Sequence, residues 1–380
     1  MATSEPSFTV GIEEEYLLVD RRTRELVGEA PASMLAQCEK RLEGQMSLEF
    51  LRSQIEVQTR VCKSVGEARA DLARLRRAVS EVAQEHGLAP IAAATHPFAD
   101  WGGQKPTSRE RYQTLDRDLR GVARRLVICG LHVHVGIDDD ELRIDLLNQV
   151  GYFLPHLMAL ATSSPFWRGE DTGLKSYRTA VFNELPRTGL PEHFESWGEY
   201  QRQLNRLIAT GVIDDATKLW WDVRPSGRFR TLEMRVTDIP TRLDDTVAVA
   251  GLFQCLLSML WRLRRENQRW RIYPHMLINE NRWRAQRYGY DQGLIDFGKG
   301  EIVPYAHLLE EIYALVAPDA ARLGCEAEIE VARDIVARGT SAHRQLAVYQ
   351  EAVAAGARKD EALRRVVDWL IEETVAGLEP

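Results

Sequence analysis

The sequence predicts an α+β fold in which a mainly antiparallel sheet carries one polar face and helices pack on the other face. Segments in which polar and apolar side chains alternate with a period of two recur up to residue 236, and amphipathic segments of helical period lie between them. From about residue 244 the pattern is mostly helical. Because no Pro-, Gly- or Ser-rich linker interrupts the chain, we expect one domain spanning 1–380.

Composition and charge narrow the class of protein. The 380 residues are 44% hydrophobic and 28% charged, as in globular proteins with a large core. A net charge of −7 disfavours binding to nucleic acid or to an anionic membrane. Five scattered cysteines without a C-x-x-C pair, and no basic–apolar leader, predict a cytoplasmic protein without disulfides or structural zinc. The longest apolar stretch, Val247 to Trp261, is too short for a membrane span and predicts a buried helix.

The elements of the first half of the chain follow from these periods. Ser64 stands three residues before Glu67, which predicts the N-cap of a long amphipathic helix. The residues from 163 to 196 are broken by proline and glycine and predict a long functional loop facing substrate. We expect strands in Gly11–Val19, Ser47–Val61, Leu88–Thr95, Leu126–Ile137, Lys218–Val223 and Phe229–Val236, and helices in Pro31–Leu42, Ser64–His86, Ser108–Arg125 and Asp140–Ala161.

The first predicted strand places two carboxylates on one face. Residues i and i+2 of a strand point the same way, so Glu13 and Glu15 share a face while Ile12, Glu14 and Tyr16 take the other. Two adjacent acids repel each other unless a divalent cation with a preference for oxygen ligands lies between them. The alternative is a solvated edge strand, and this segment alone leaves both interpretations open.

Three further strands carry the same kind of residue on one face. The second contributes Glu56, the strand Leu126–Ile137 contributes His132 and His134, and the last contributes Glu233 and Arg235. A merely wetted face would more often carry Lys, Thr and Ser, so the four strands together favour a site for several cations with an arginine beside it. Such a site suits phosphoryl chemistry on ATP. The sequence has neither a P-loop nor a G-x-G-x-x-G motif, so the metals and the sheet would hold the nucleotide.

Several motifs resemble those of the glutamate–cysteine ligase type 2 family, whose members are carboxylate–amine ligases with a glutamine-synthetase-like catalytic fold. The resemblance extends over nearly the whole chain. It is carried by Gly11-Ile12-Glu13-Glu14-Glu15, Thr95-His96-Pro97-Phe98, Glu110-Arg111-Tyr112, Cys129-Gly130-Leu131-His132-Val133-His134-Val135-Gly136, Arg178, Trp221-Asp222-Val223-Arg224-Pro225-Ser226, Thr231-Leu232-Glu233-Met234-Arg235-Val236, Asn281-Arg282 and Arg287-Tyr288-Gly289.

The resemblance also implies roles for individual residues. It implies Mg²⁺ as the metal, with Mn²⁺ as a substitute, and Arg235 as the arginine that steadies the transferring phosphoryl group, with Glu233 beside it in catalysis. Glu49 matches a ligand position, but an odd spacing from Glu56 would put the two on opposite faces of one regular strand. The implied metal ligands are Glu13, Glu15, Glu56, His132 and Glu233, and the implied contacts to substrate or ATP are Arg178, Lys218, Arg224, His134, Arg111, Arg282 and Arg287.

The implied reaction is the ATP-dependent joining of a carboxylate, the γ-carboxylate of glutamate, to an amine such as cysteine through an acyl phosphate. The partners would be these small molecules, without nucleic acid or membrane, and similar proteins suggest a homodimer. Three alternatives stay open at this point. They are a metal-dependent γ-glutamyl amide hydrolase, a guanidino-kinase-like phosphotransferase, and a nucleotide-binding module without catalysis.

Overall fold

The computed structural model describes residues 5–100, 102, 104–105, 107 and 120–378. The strands are β1 (Val10–Asp20), β2 (Met46–Leu48), β3 (Gln54–Gln58), β4 (Leu88–Ile91), β5 (Leu131–Gly136), β6 (Phe166–Trp167), β7 (Glu170–Asp171), β8 (Thr188–Gly189), β9 (Trp220–Trp221), β10 (Val223–Pro225), β11 (Thr231–Met234), β12 (Leu294–Asp296) and β13 (Glu301–Val303). The helices are α1 (Ala32–Leu42), α2 (Val65–Glu85), α3 (Gly121–Arg124), α4 (Asp140–Val150), α5 (Leu154–Leu160), α6 (Tyr177–Phe182), α7 (Trp197–Ala209), α8 (Leu243–Arg265), α9 (His275–Tyr288), α10 (Tyr305–Leu323), α11 (Glu326–Arg338), α12 (Ser341–Ala354) and α13 (Lys359–Thr374).

A central antiparallel sheet organises the molecule. Its strand order is β10–β11–β5–β1–β3–β2, and β4 pairs with the C-terminal part of β1. In this register Glu13 lies opposite His132, Glu15 lies opposite Glu56, and Glu233 lies opposite His134. The sheet therefore brings residues from distant parts of the chain side by side. The α+β fold with a polar sheet face is confirmed.

The opposite face of the sheet is buried under helices. Ile12 and Tyr16 of β1 are almost fully buried, as are Leu72 and Leu75 of α2. Helix α8 is apolar enough and long enough to resemble a membrane span, but 89% of its apolar window is buried inside the protein. It is thus a core helix, as the sequence predicts. The periodicity of α2 is confirmed together with its cap, because Ser64 Oγ accepts a hydrogen bond of 3.2 Å from the Glu67 amide.

One charged pair interrupts this apolar face. Glu14 and Arg76 are both inaccessible to solvent, and Arg76 Nε donates to Glu14 Oε2 at 2.7 Å. Thr246 Oγ1 donates to the other oxygen of Glu14 at 2.8 Å, and Arg76 Nη1 donates to the Thr241 carbonyl at 2.7 Å. Each charge is therefore paired and hydrogen-bonded, the condition under which burial is tolerated. The network ties β1 to α2 and to the start of α8.

Several predicted elements are divided in the structure. The segment Ser47–Val61 forms β2 and β3 with a turn between them, and Asp140–Ala161 forms α4 and α5 with a 3-10 turn, Gly151–Phe153, between them. Lys218 ends a 3-10 turn, Ala216–Lys218, rather than beginning a strand. The Asp215 side chain accepts the Thr217 amide at 2.7 Å and starts this turn locally. Most of the predicted helix Ser108–Arg125 lies outside the described residues, which include α3.

Candidate active site

The polar face of the sheet forms the floor of a cavity of about 410 Å³. Strands β1, β3, β5 and β11 supply the floor, and the walls come from the segments around residues 47–50, 126–128, 178–185 and 217–229. The long loop that the sequence predicts to face substrate thus contributes Arg178, Phe182 and Leu185. The predicted site residues that line the cavity are Glu13, Glu15, Glu56, His132, His134, Arg178, Lys218, Arg224, Glu233 and Arg235.

Three groups of ligand atoms lie on the cavity floor. In each group the carboxylate oxygens and imidazole nitrogens lie within 4.8 Å of one another. Neighbouring groups share Glu13 or Glu56, so that they form one continuous row across the sheet. The three groups are Glu13–His134–Glu233, Glu13–Glu56–His132 and Glu15–Glu49–Glu56. Oxygen-rich sets of this kind suit Mg²⁺ or Mn²⁺.

The central group is anchored by Glu13. Its Oε2 lies 3.1 Å from His132 Nδ1, and its Oε1 lies 3.4 Å from His134 Nε2. Burial opposes the charge on Glu13, but the two imidazoles outweigh burial and hold its pKa well below the ordinary value. Burial, assisted by Arg235, lowers the pKa of His132 to about 4. Glu13 is therefore ionised and His132 neutral near pH 7, the protonation states in which both bind a cation.

The acidic end of the cavity consists of Glu15, Glu49 and Glu56. Burial and repulsion from Glu49 raise the pKa of Glu15 to about 8, and the same two causes raise the pKa of Glu56 well above its ordinary value. The Gly130 amide donates to Glu15 Oε2 at 2.6 Å, and Ser47 Oγ donates to Glu56 Oε1 at 2.7 Å. Among the described residues, no lysine or arginine nitrogen lies within the 4.0 Å ion-pair distance of these three carboxylates. A bound cation would remove their repulsion, so this group fits a metal.

Glu49 is the less certain of the predicted metal ligands in the sequence, because its odd spacing from Glu56 excludes a common face if both residues lie in one strand. The two residues lie in different segments. Ser47 of β2 pairs with Glu56 of β3, and Glu49 follows Ser47 by two residues on the same side. The odd spacing is produced by the turn between the two strands, and the structure brings Glu49 into the third group.

The opposite, basic end of the cavity is built around Glu233. Arg224 donates to its two oxygens from Nε and Nη2 at 3.0 Å each, and Arg235 Nη1 also contacts it. Burial opposes ionisation, but Arg235 and Arg224 outweigh burial and lower the pKa of Glu233 strongly. The same contact partly occupies Arg235, whose Nε is buried and has no hydrogen-bond partner. Lys218 lines this end of the cavity as well.

The orphaned nitrogen of His134 also supports metal binding. Its Nδ1 lies 2.9 Å from Thr231 Oγ1, whereas its Nε2 is buried, makes no hydrogen bond, and faces the carboxylates of Glu13 and Glu233. A buried polar atom of this kind is costly to leave unsatisfied. Nε2 is the atom that would serve as a ligand in the group Glu13–His134–Glu233.

Two of the remaining predicted contacts, Arg282 and Arg287, do not line the cavity. Arg282 donates to both oxygens of the buried Asp222, from Nε at 2.7 Å and from Nη2 at 3.0 Å, and this pair stabilises the bend between β9 and β10. Arg287 donates to the Gly173 carbonyl and so holds the long loop against α9. The predicted contact of both arginines with ATP or substrate has no support in this placement. Arg111 lies outside the described residues.

Residues that the sequence analysis missed lie at the mouth of the cavity. Phe229 is 54% exposed and packs edge-on against His134, with 6.0 Å between the ring centroids. Arg228 and Trp220 line the cavity near it. Trp220 and Phe229 fall in the predicted strands Lys218–Val223 and Phe229–Val236, where a period of two places them on the same faces as Lys218 and Glu233, so alternation was the signal that could have found them. Arg228 precedes the second of these strands and carries no such signal.

Comparison with known proteins identifies the family of this chain. Residues 9–368 match the model of glutamate–cysteine ligase family 2. A relative from Rhodospirillum rubrum is 61% identical over 378 residues, covering 98% of this chain and 97% of that protein. One from Sorangium cellulosum is 47% identical over 374 residues, covering 98% and 97%. Both carry the name glutamate–cysteine ligase 2 as a provisional name.

Solved structures show the same fold at low identity. A glutamate–cysteine ligase from Francisella tularensis, in complex with AMP, superposes with a TM-score of 0.68 at 14% identity, covering 98% of this chain and 90% of that chain. A bifunctional glutathione synthetase from Pasteurella multocida has the same TM-score and identity, covering 96% of this chain and 52% of that chain. The fold is therefore that of glutamine-synthetase-like ligases. The match over residues 9–368, together with the identity to these relatives, places the chain in glutamate–cysteine ligase family 2.

Proposed function

We propose that this protein is an ATP- and Mg²⁺-dependent ligase that joins the γ-carboxylate of glutamate to an amine such as cysteine. The observation that carries the proposal is the row of three ligand groups, which runs from the basic end at Glu233 to the acidic end at Glu49. A carboxylate and a triphosphate repel each other, so a site that brings them together needs several positive charges. Arginine side chains and a row of cation ligands supply that need in one cavity.

Different residues of the cavity would bind the cations and stabilise the phosphoryl group. Glu13, Glu15, Glu49, Glu56, His132, His134 and Glu233 would hold the cations. When bound, divalent cations neutralise phosphate oxygens and screen the attacking carboxylate. Arg224 fixes the orientation of Glu233, and Arg235 presents its guanidinium next to it, where it meets the charge on the transferring phosphoryl group.

The reaction proceeds in two balanced steps. A carboxylate oxygen of glutamate attacks the γ-phosphorus of ATP, the bond to the bridging oxygen breaks, and ADP leaves. The amine nitrogen then attacks the carbonyl carbon of the acyl phosphate, inorganic phosphate leaves with the bonding electron pair, and the nitrogen loses a proton. Both steps are favoured where Arg235 and Lys218 face the phosphoryl oxygens and bulk water is excluded.

The test is ADP release from Mg-ATP with a panel of carboxylate and amine mixtures headed by glutamate plus cysteine. Amine-dependent ADP release accompanied by an amide product would support the ligase and identify its substrates. Metal-dependent cleavage of γ-glutamyl amides without ATP would point to a hydrolase instead. Phosphate transfer to a guanidino compound would point to a phosphotransferase, and tight ATP binding without any turnover to a binding module.

The cellular setting is part of the proposal. All five cysteines are buried and none is bridged. The closest pair, Cys255 and Cys325, has its sulfur atoms 3.3 Å apart without a covalent bond. We propose a reducing cytoplasm as the compartment in which these cysteines stay reduced. A homodimer stays a prediction from similar proteins, to be tested by light scattering.

A further inference from the structure

One buried arginine in the cavity wall, Arg178, makes no direct ion pair with the described residues. Burial lowers the pKa of its guanidinium, and the carboxylates of Asp238 and Glu15, which lie beyond 4.0 Å, only partly offset that shift. Arg178 is 3% exposed, and its guanidinium donates only to the backbone carbonyls of Arg235 at 3.2 Å and Val236 at 3.4 Å. Its Nε is buried and makes no hydrogen bond, and no carboxylate of the described residues lies within 4.0 Å of the guanidinium. Burying a cation without a counterion is costly. A carboxylate that reached this guanidinium would therefore gain a direct, buried ion pair.

Apolar side chains line the part of the cavity that contains Arg178. Its guanidinium lies 5.3 Å from the ring centroid of Phe182, and Leu126, Ile128 and Leu185 line the cavity beside it. These four side chains, which we call the apolar wall, carry no hydrogen-bonding group. They come from two segments that Arg125 and Glu184 join by an ion pair of 2.5 Å at the surface.

Arg178 also lies at one definite end of the cavity. Its guanidinium packs against Gly130, just before β5, and against the carbonyls that follow β11. Arg228 and Phe229 lie at the other end of the same two strands, beside Gly136 in the register. From Gly130 to Gly136 this is roughly 20 Å at ~3.3 Å per residue. Arg178 and Phe229 therefore lie at opposite ends of the cavity.

We infer that Arg178 and the apolar wall bind the amine substrate, and that this substrate is an α-amino acid with an apolar side chain whose carboxylate pairs with Arg178. The inference rests on the proposed ligase function. A planar guanidinium offers two parallel N–H donors to a carboxylate. The wall favours an apolar side chain, because a charged or amide side chain would lose its hydration there without a new partner.

The first experiment compares two amines that differ only in the carboxylate. With glutamate and Mg-ATP, kcat/KM is measured for leucine and for isopentylamine, its decarboxylated counterpart. The wild type should prefer leucine about 100-fold, the value of a charge-assisted hydrogen-bonded pair. In Arg178→Met the preference should fall to within about threefold, while the KM for ATP stays unchanged. Arg178→Lys keeps the positive charge but not the two parallel N–H donors, so its preference for leucine should lie between those of the wild type and Arg178→Met. The preference of Arg202→Met, at an exposed position, should equal that of the wild type.

A second experiment tests the apolar wall. The ratio of kcat/KM for leucine over asparagine, two amino acids of similar size, should be high in the wild type. Phe182→Ala should reduce that ratio at least fivefold, about what the loss of buried apolar contacts predicts. An unchanged ratio would remove the wall from substrate recognition. Equal rates for leucine and isopentylamine in the wild type would overturn the inference itself.

Two further outcomes separate this inference from the proposed function. Exchange of the β,γ-bridging oxygen of ATP, measured with glutamate and Mg²⁺ but without amine, reports acyl phosphate formation alone. If that exchange occurs and no amine is discriminated by its carboxylate, the ligase stands and the subsite fails. If Arg178→Met raises the KM for glutamate and leaves the leucine preference intact, the guanidinium binds the glutamate carboxylate instead and the inference is wrong.

Discussion

Gly130 lies directly against Arg178: a Cβ atom on residue 130 would stand 2.3 Å from Nη2 and 2.9 Å from Cζ of that guanidinium. Non-bonded atoms cannot approach so closely, and Arg178 is too buried to swing into solvent. The glycine before β5 is therefore required by the space that the arginine occupies. The same residue donates its amide to Glu15, so one position serves both the arginine and the acidic end of the cavity.

Gly130→Ala should displace the guanidinium of Arg178 without removing any functional group. Because a displacement of about 1 Å can reduce turnover by as much as 10²-fold, we expect amine-dependent ADP release to fall at least about tenfold. The matched control is Gly28→Ala, since a Cβ on residue 28 meets nothing within 4 Å. Steady-state kinetics of both variants provide the measurement. Activity of Gly130→Ala equal to that of the control would show that Arg178 does not need its present position.

Asp238 holds the segments that lead into helix α6, which carries Arg178. Its carboxylate accepts hydrogen bonds from the Ser163 amide at 2.9 Å, Ser164 Oγ at 2.6 Å and Ser176 Oγ at 2.7 Å. Ser164 Oγ accepts in turn from the Arg178 amide at 3.0 Å. Asp238→Asn replaces one acceptor oxygen by an amide donor, which conflicts with at least one of these donors. We expect it to cost about 1.5–3 kcal/mol of unfolding free energy, measured by chemical denaturation.

If Asp238 positions Arg178, its effect on catalysis should also depend on that arginine. Asp238→Asn should lower the preference for leucine over isopentylamine in the wild-type background but leave it unchanged in Arg178→Met. A general loss of stability would instead reduce both backgrounds equally. Asp214→Asn, at an exposed position of the same chain, controls for the change of charge.

Arg235→Ala should be far more damaging than the loss of a surface charge. Its guanidinium contacts Glu233 on the cavity side, and in the proposed reaction it meets the charge that develops on the phosphoryl group. Removing one such stabiliser costs on the order of 10²–10³ in turnover. Glu233→Gln should cost more, because this carboxylate pairs with Arg224 and also belongs to a ligand group. Single-turnover ADP formation measures both, with the exposed Arg206→Ala as control. Near-normal turnover in either variant would exclude that residue from its role.

Sequence patterns predict the residues on the floor of this cavity, which lie on strands, but not most of the residues in its walls. Alternation in Leu131–Gly136 predicts that His132 and His134 share a face, because the geometry of a strand is local. The partners across the sheet depend on register, which no single segment contains. Glu49 is an example: the turn between β2 and β3 determines which face of the sheet it occupies. That face is known only from the pairing of Ser47 with Glu56.

Arginine roles are harder to predict than carboxylate roles. Two carboxylates on one strand face repel each other unless a cation lies between them. Glu13 and Glu15 therefore indicate a cation site from the sequence alone. An arginine in a motif fits equally well in a buried ion pair, as Arg282 does with Asp222, or in a loop contact, as Arg287 does with Gly173. The sequence contains no signal that separates these uses, because each depends on a partner far along the chain.

Divalent cations should stabilise the protein by relieving the repulsion at the acidic end. Mg²⁺ at 100 times its dissociation constant should add about 2.7 kcal/mol to the free energy of unfolding, and a chelator should remove that gain. Glu49→Gln should melt at a higher temperature than the wild type in chelator, because Glu49 raises the pKa of both Glu15 and Glu56 by repulsion. The same variant should gain less from Mg²⁺, since one ligand is lost.

Thermal melting with and without Mg²⁺ measures both the melting temperature in chelator and the gain from Mg²⁺. Glu301→Gln, at an exposed position of β13, is the control. A larger Mg²⁺ gain in Glu49→Gln than in the wild type would show that Glu49 is not a ligand. An equal melting temperature in chelator would show that the three carboxylates do not repel one another in the free protein.

His96, which has no assigned role in the site, makes the fold sensitive to acid. Its Nδ1 accepts the amides of Phe98 at 3.2 Å and Ala99 at 3.0 Å, and its Nε2 bonds the Arg24 carbonyl at 2.9 Å. Protonation would put a second proton where two donors already point. Burial lowers its pKa to about 4, against about 6.5 for an unfolded histidine.

The sign of the effect follows from this difference. Above about pH 6.5 His96 is neutral in both states and costs nothing, whereas between pH 6.5 and 4 only the unfolded chain takes up the proton and stability falls. From pH 7.5 to 5.0 the loss from His96 should be about 2 kcal/mol. Urea unfolding at the two pH values should show that His96→Asn loses less on acidification than the wild type, although it is less stable at pH 7.5. The exposed His307→Asn should follow the wild type. If His96→Asn lost as much as the wild type between the two pH values, the pKa of His96 would be the same in the folded and the unfolded chain, and burial would not oppose its protonation.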